Sequence, residues 1–114
     1  MSVEMLSPHF SAMEFRCSCG RCTPVLPAKI LLAGLEALRA VVGRPVMITS
    51  GHRCAAYNAT VKNAVPNSRH ITGRAADIVI RGVPPADIAV LIKYIAPELQ
   101  ALPRATYTHI QVRV

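Results

Sequence analysis

Ser68-Arg69-His70-Ile71-Thr72-Gly73-Arg74-Ala75-Ala76-Asp77-Ile78-Val79-Ile80 is the stretch on which the fold turns. A polar opening that contains one glycine gives way to small and β-branched residues, which predicts a turn leading into a strand over residues 75–80. Alternation along that strand sends Ala75, Asp77 and Val79 to one face and Ala76, Ile78 and Ile80 to the other. A carboxylate with small neighbours therefore faces away from the apolar side, a short turn after an imidazole.

The last segment, Thr106-Tyr107-Thr108-His109-Ile110-Gln111-Val112-Arg113-Val114, has the same period. Tyr107, His109, Gln111 and Arg113 share one face, and Ile110, Val112 and Val114 share the other. One face is core and the other has the character of a site. His70, Asp77 and His109 together offer two imidazole nitrogens and a carboxylate oxygen. That set suits a zinc ion with its fourth position open to water, the arrangement of a hydrolase.

The remaining elements are short. Ser11-Ala12-Met13-Glu14 has the form of a capping box and predicts a helical turn that carries Phe15 toward the core. Pro27 suits a first helical position, after which Leu31, Leu35, Leu38 and Val42 mark one face of the principal core helix and Gly43 stops it. Residues 45–50 read as a short buried strand ended by Gly51, and residues 55–62 as a short helix. A further helix is expected over about residues 86–95, closed by Pro97. No repeat or linker interrupts the chain. The mixture predicts one domain over residues 1–114, an α+β fold with a small, mostly antiparallel sheet packed against helices.

Although 52% of the residues are hydrophobic, no apolar run approaches the roughly 20 residues that cross a bilayer, so no membrane span is expected. The opening Met1-Ser2-Val3-Glu4-Met5-Leu6-Ser7-Pro8 lacks a basic start, an apolar centre and a cleavage site, and does not read as a secretion signal. A net charge of +7 favours anionic partners such as nucleic acid, teichoic acid or peptidoglycan. The basic residues are scattered and only three Tyr and two Phe are available to stack on bases, which argues against nucleic acid.

Cys17, Cys19 and Cys22 fall within six residues, with Cys54 far along the chain. Four thiols of this kind suit a structural metal, one or two disulfides, or free thiols, and spacing alone does not select among them.

Taken together, His9-Phe10-Ser11, Glu14-Phe15, Leu35-Glu36-Ala37-Leu38-Arg39, Ile48-Thr49-Ser50-Gly51-His52-Arg53, Asn58, Ser68-x-His70-x2-Gly73-x-Ala75-x-Asp77 and His109 resemble the M15 zinc peptidases. These are D-Ala-D-Ala carboxypeptidases and peptidoglycan endopeptidases of bacteria and phages, and the resemblance covers nearly the whole chain. It implies a hedgehog/D-Ala-D-Ala peptidase-like fold and a Zn2+ ion held by His70, Asp77 and His109. Arg53 matches the arginine of the family's S-G-x-R motif, implying a role in binding a substrate carboxylate or stabilising an oxyanion. Ser68 is implied to bind substrate or orient the ligand loop.

The implied partners are peptidoglycan stem peptides and phage virion proteins. The implied location is the host cytoplasm before release to the cell wall, or the virion.

Two departures from the family pattern bear on catalysis. Residues 103–108 carry no Glu or His ahead of the last ligand, and Gln111 stands where a related subgroup has Asp, although an amide cannot take up a proton at neutral pH. Residues 62–67 also lack the two glycines common before the S-x-H motif. Tyr107, on the face of His109, is then a candidate for oxyanion stabilisation or proton donation, and His52 a candidate base from another loop. A relative that has lost catalysis and serves as a wall binder or virion part is the alternative reading.

Overall fold

The computed structural model describes residues 4–62 and 64–113. Met1–Val3, Asn63 and Val114 lie outside them, and with them the expected core-facing position of Val114 and the first residues of the opening segment. β1 (Met5–Ser7) and β2 (Phe10–Ser11) form a small antiparallel pair that the sequence pattern did not announce. The Glu14 carboxylate accepts from the Ser11 backbone N–H at 2.7 Å and from its hydroxyl at 3.1 Å, and a 3-10 turn over Ala12–Phe15 follows. Phe15 is buried, as the capping box predicts.

α1 (Lys29–Val42) buries Leu31, Leu35 and Leu38 and ends at Gly43 in the left-handed conformation. It does not begin at Pro27. Ala28 is its cap, with an extended ψ of 142° and its N–H held by the Gly73 carbonyl at 2.8 Å, so Pro27 lies before the helix.

β3 (Met47–Ser50), β4 (Ala75–Val79), β5 (Leu99–Pro103) and β6 (Thr108–Val112) form one sheet in the order β3-β4-β6-β5. Every pairing in it is antiparallel. β3 is an edge strand with Met47 56% exposed, which corrects the reading of residues 45–50 as buried. β5 was not anticipated, because Leu99, Ala101 and Leu102 put apolar side chains on both faces and mask its period.

The helix expected over residues 55–62 is a single turn, α2 (Ala55–Asn58). Beyond it the chain is taken up by side-chain bonds, from Thr60 Oγ1 to the Tyr57 carbonyl at 2.7 Å and from Asn58 Nδ2 to the Val65 carbonyl at 2.8 Å. α3 (Pro85–Ile95) opens on a proline at its first position, where the missing N–H costs nothing.

α1 and α3 cover one face of the sheet. Leu31, Leu35, Leu38, Ile88 and Ile92 meet Ile78, Leu99 and Ile110 there, all essentially without solvent contact. Each such side chain contributes roughly 1.5–3 kcal/mol on burial, so this layer anchors β4 and β6 and leaves their other face free for polar side chains. Gly73, at φ 72°, ends the 3-10 turn over Arg69–Thr72, two residues before β4 begins. A Cβ there would sit 2.5 Å from the Leu26 carbonyl oxygen, so both the turn and the close approach demand glycine. Among the described residues no helix is long and apolar enough to cross a membrane.

Candidate metal centre

Asp77 and His109 are register partners on β4 and β6, and both project from the sheet face that the helices do not cover. His70 reaches the same point from the 3-10 turn just before β4 and is fully buried. One atom from each of the three, His70 Nε2, Asp77 Oδ1 and a nitrogen of His109, falls in a group whose members lie within 4.8 Å of one another.

Hydrogen bonds fix which atoms have lone pairs to offer. His70 Nδ1 lies 2.7 Å from the Gly51 carbonyl, which can only accept, so Nδ1 carries the proton and Nε2 is a bare acceptor. That Nε2 is buried and has no hydrogen-bond partner, although Asp77 Oδ1 stands 3.3 Å away. Gln111 Nε2 donates to Gln100 Oε1 at 2.8 Å, which leaves Gln111 Oε1 to accept from His109 Nε2–H at 2.9 Å. On that assignment of the amide, His109 Nδ1 turns a lone pair toward Asp77 Oδ1 at 2.9 Å. Two acceptors at that separation require a cation between or beside them, a proton or a metal ion.

Burial opposes ionisation of Asp77, but the His109 and His70 rings, when they bring a proton to it, outweigh that and hold the carboxyl down to about 2; a cation at the same point acts in the same direction. Three anionic or lone-pair donors thus converge, and the residues fit a zinc ion. Nitrogen and oxygen ligands about 2.0–2.1 Å from a tetrahedral zinc stand about 3.3–3.4 Å apart, close to the 3.3 Å between His70 Nε2 and Asp77 Oδ1.

The supports of this set come from several elements. Ser68 caps the 3-10 turn by accepting from the His70 backbone N–H at 3.2 Å, and Arg53 N–H donates to the His70 carbonyl at 3.0 Å. Gly51, whose carbonyl orients His70, packs so closely on Phe15 that a Cβ would lie 2.5 Å from its Cα. The Arg53 guanidinium extends toward Ser68 Oγ, 3.5 Å from Nη2, while its Nε is buried without a partner.

Arg53, Ser68, Asp77, Tyr107 and His109 line a cleft of about 410 Å³, joined by Lys62, Arg69 and Arg104. Asp77 is the one carboxylate among the described residues that line it.

Two histidines go elsewhere. His9 pairs with Glu36 at 2.7 Å, away from the cleft lining. His52 is buried with Nδ1 4.0 Å from Cys22 Sγ, and burial lowers its pKa. It does not line the cleft, which removes it as a base for a substrate bound there. Gln111, read from the sequence only as a missing base, instead orients the His109 ring. Gln100, its partner, was missed because its strand was missed, and the Gly51 carbonyl leaves no mark in a sequence beyond the glycine itself. Cys17, Cys19, Cys22 and Cys54 gather in a second cluster, all four as free thiols.

A family model described as Peptidase M15 matches residues 8–111. No curated protein and no solved structure matches the chain. The matched span contains every residue of the His70, Asp77 and His109 site, and the chain belongs to the Peptidase M15 family, whose members are zinc-dependent peptidases.

Proposed function

We propose that this protein hydrolyses a peptide bond in the stem peptides or cross-links of bacterial peptidoglycan, reaching the wall through phage lysis or as part of a virion. The observation that carries the proposal is the convergence of His70, Asp77 and His109, the last two of which line a cleft rich in Arg and Lys. Stem peptides bear free carboxylates, and Arg53, Lys62, Arg69 and Arg104 give such a substrate a complementary wall. The net charge of +7 favours approach to an anionic wall polymer.

Zinc in a site of this composition supplies Lewis-acid polarisation of a carbonyl and activates water near neutral pH. His70, Asp77 and His109 would hold it, with Gly51 and Gln111 fixing the two imidazole tautomers. Arg53 lines the cleft, so its guanidinium can meet a substrate carboxylate or the oxyanion that develops on the scissile carbonyl. Tyr107 lines the same cleft and offers a phenolic O–H to that oxyanion or to the leaving amine.

A second reading is favoured by one specific observation, the lack of any carboxylate but Asp77 among the described residues of the cleft. On that reading the protein binds stem peptides without cutting them, as a wall-binding or virion part. Incubating zinc-loaded protein with peptidoglycan and analysing the soluble fragments by mass spectrometry separates the two. Hydrolysis that disappears in His70→Ala establishes the peptidase, whereas wall pull-down without fragments establishes the binder. Detection of the chain in purified phage particles, or its accumulation just before lysis, tests the route to the wall.

A further inference from the structure

Cys17, Cys19, Cys22 and Cys54 bring four Sγ atoms within 4.8 Å of one another, and none of them is in a disulfide. Cys17 is buried and the other three are half-buried. Sulfurs about 2.3 Å from a tetrahedral zinc stand about 3.8 Å apart. Cys19 Sγ and Cys54 Sγ are 3.8 Å apart. Disulfides would join the sulfurs two by two and give no reason for all four to share a centre, whereas one ion gives that reason.

The backbone around the cluster is arranged for anionic sulfur. Cys54 N–H donates to Cys17 Sγ, Arg21 N–H to Cys19 Sγ and Tyr57 N–H to Cys54 Sγ, each at 3.4 Å. Neutral thiols are weak acceptors and gain little from three such donors, while thiolates gain more. A turn closed by Gly20 N–H on the Cys17 carbonyl curls Cys17, Cys19 and Cys22 around one side. Cys54, at the start of α2, supplies the other.

We infer that these four cysteines hold a second zinc ion as a closed tetrathiolate, structural in role and separate from the site at His70, Asp77 and His109. With four protein ligands the ion has no open position for substrate or water, and its binding releases the thiol protons to solvent. It ties the N-terminal loop to the stretch Gly51-His52-Arg53-Cys54. That stretch holds His70 twice, through the Gly51 carbonyl and the Arg53 N–H. His52, in the same stretch, meets the N-terminal segment directly, its N–H bonded to the Phe15 carbonyl at 2.8 Å and its ring beside Cys22.

The test is a metal count on the full chain by plasma mass spectrometry, with intact mass measured under denaturing, non-reducing conditions. Two zinc ions in the wild type, one in His70→Ala and the mass of a fully reduced chain are expected. A single zinc that survives His70→Ala also supports the cysteine site, and counts against the peptidase site alone. A single zinc that vanishes in His70→Ala, or a mass short by two hydrogens for each bond, overturns the inference.

Because Cys19→Ser/Cys54→Ser risks failing to fold, cobalt loading of His70→Ala provides the independent measurement. Intense thiolate-to-cobalt charge-transfer absorption supports the site, and its absence sinks it.

Discussion

Asp77 on β4 and His109 on β6 stand directly opposite each other in the antiparallel ladder, with Asp77 Oδ1 2.9 Å from His109 Nδ1. Two of the three zinc-competent side chains are therefore set by strand register, and a slip of β6 by one residue would send His109 into the core and leave Asp77 alone on the open face. Asp77→Ala should remove one zinc ion per chain and reduce peptidoglycan hydrolysis to background while circular dichroism stays unchanged. Full zinc occupancy in that variant would show that the metal is held elsewhere.

Gln111 fixes the tautomer of His109 without touching the convergence point itself. Gln111→Leu keeps the volume and loses the acceptor. Its zinc affinity should fall roughly 10–100-fold, the usual cost of losing a partner that orients a ligand. Chelator competition would measure this, and an unchanged affinity would mean that His109 needs no such support.

Arg53 contributes to the cleft through its side chain and to His70 through its backbone, so the two roles separate by mutation. Arg53→Lys retains the backbone bond and the charge but loses the planar fork. We expect zinc content to be preserved and kcat/KM on a stem-peptide substrate to fall by about 10²-fold, the scale of losing one oxyanion donor. A loss of zinc instead would assign the side chain a structural role.

Gly73→Ala forces a side chain into φ 72° and against the Leu26 carbonyl. The expected destabilisation is at least about 1 kcal/mol, larger than the usual gain from restricting the unfolded chain. Urea titration would read it as a lower midpoint at unchanged slope.

Glu36 accepts from Ser7 Oγ at 2.6 Å and from the His9 backbone N–H at 2.7 Å. Burial raises its pKa, but these bonds and the His9 ring outweigh that and hold it below the ordinary 4.5. A depressed folded-state pKa adds stability above the unfolded value and loses it as pH falls through the folded one. The melting temperature of wild type should therefore exceed that of Glu36→Gln at pH 7, with the gap closing as pH falls below the ordinary 4.5 and through the depressed folded-state value. A gap independent of pH would mean that ionisation of Glu36 is not what stabilises this corner.

Much of the site was legible because its residues lie on strands of plain alternation. Ala76, Ile78 and Ile110 could face only a core, which turned Asp77 and His109 to the other side together. β5 was hidden by leucine and alanine on both faces, and with it went Gln100. The end of α2 at Asn58 depended on a side-chain bond to Val65, and the start of α1 on a long-range bond from Ala28 to Gly73. Neither long-range partner can be read from a local window. The same limit applied to His52, whose contacts with Phe15 and Cys22 form only when distant loops meet.

The division of the three donors between sheet and turn has a kinetic consequence. Asp77 and His109 sit on the inner strands β4 and β6, whose opening requires disruption of the whole packed layer. His70 is retained by a turn and by two bonds from one loop segment, residues 51–53. Metal exchange should accordingly track local opening of residues 68–73, with amide deuterium uptake in that turn outpacing the sheet and slowing when zinc is bound.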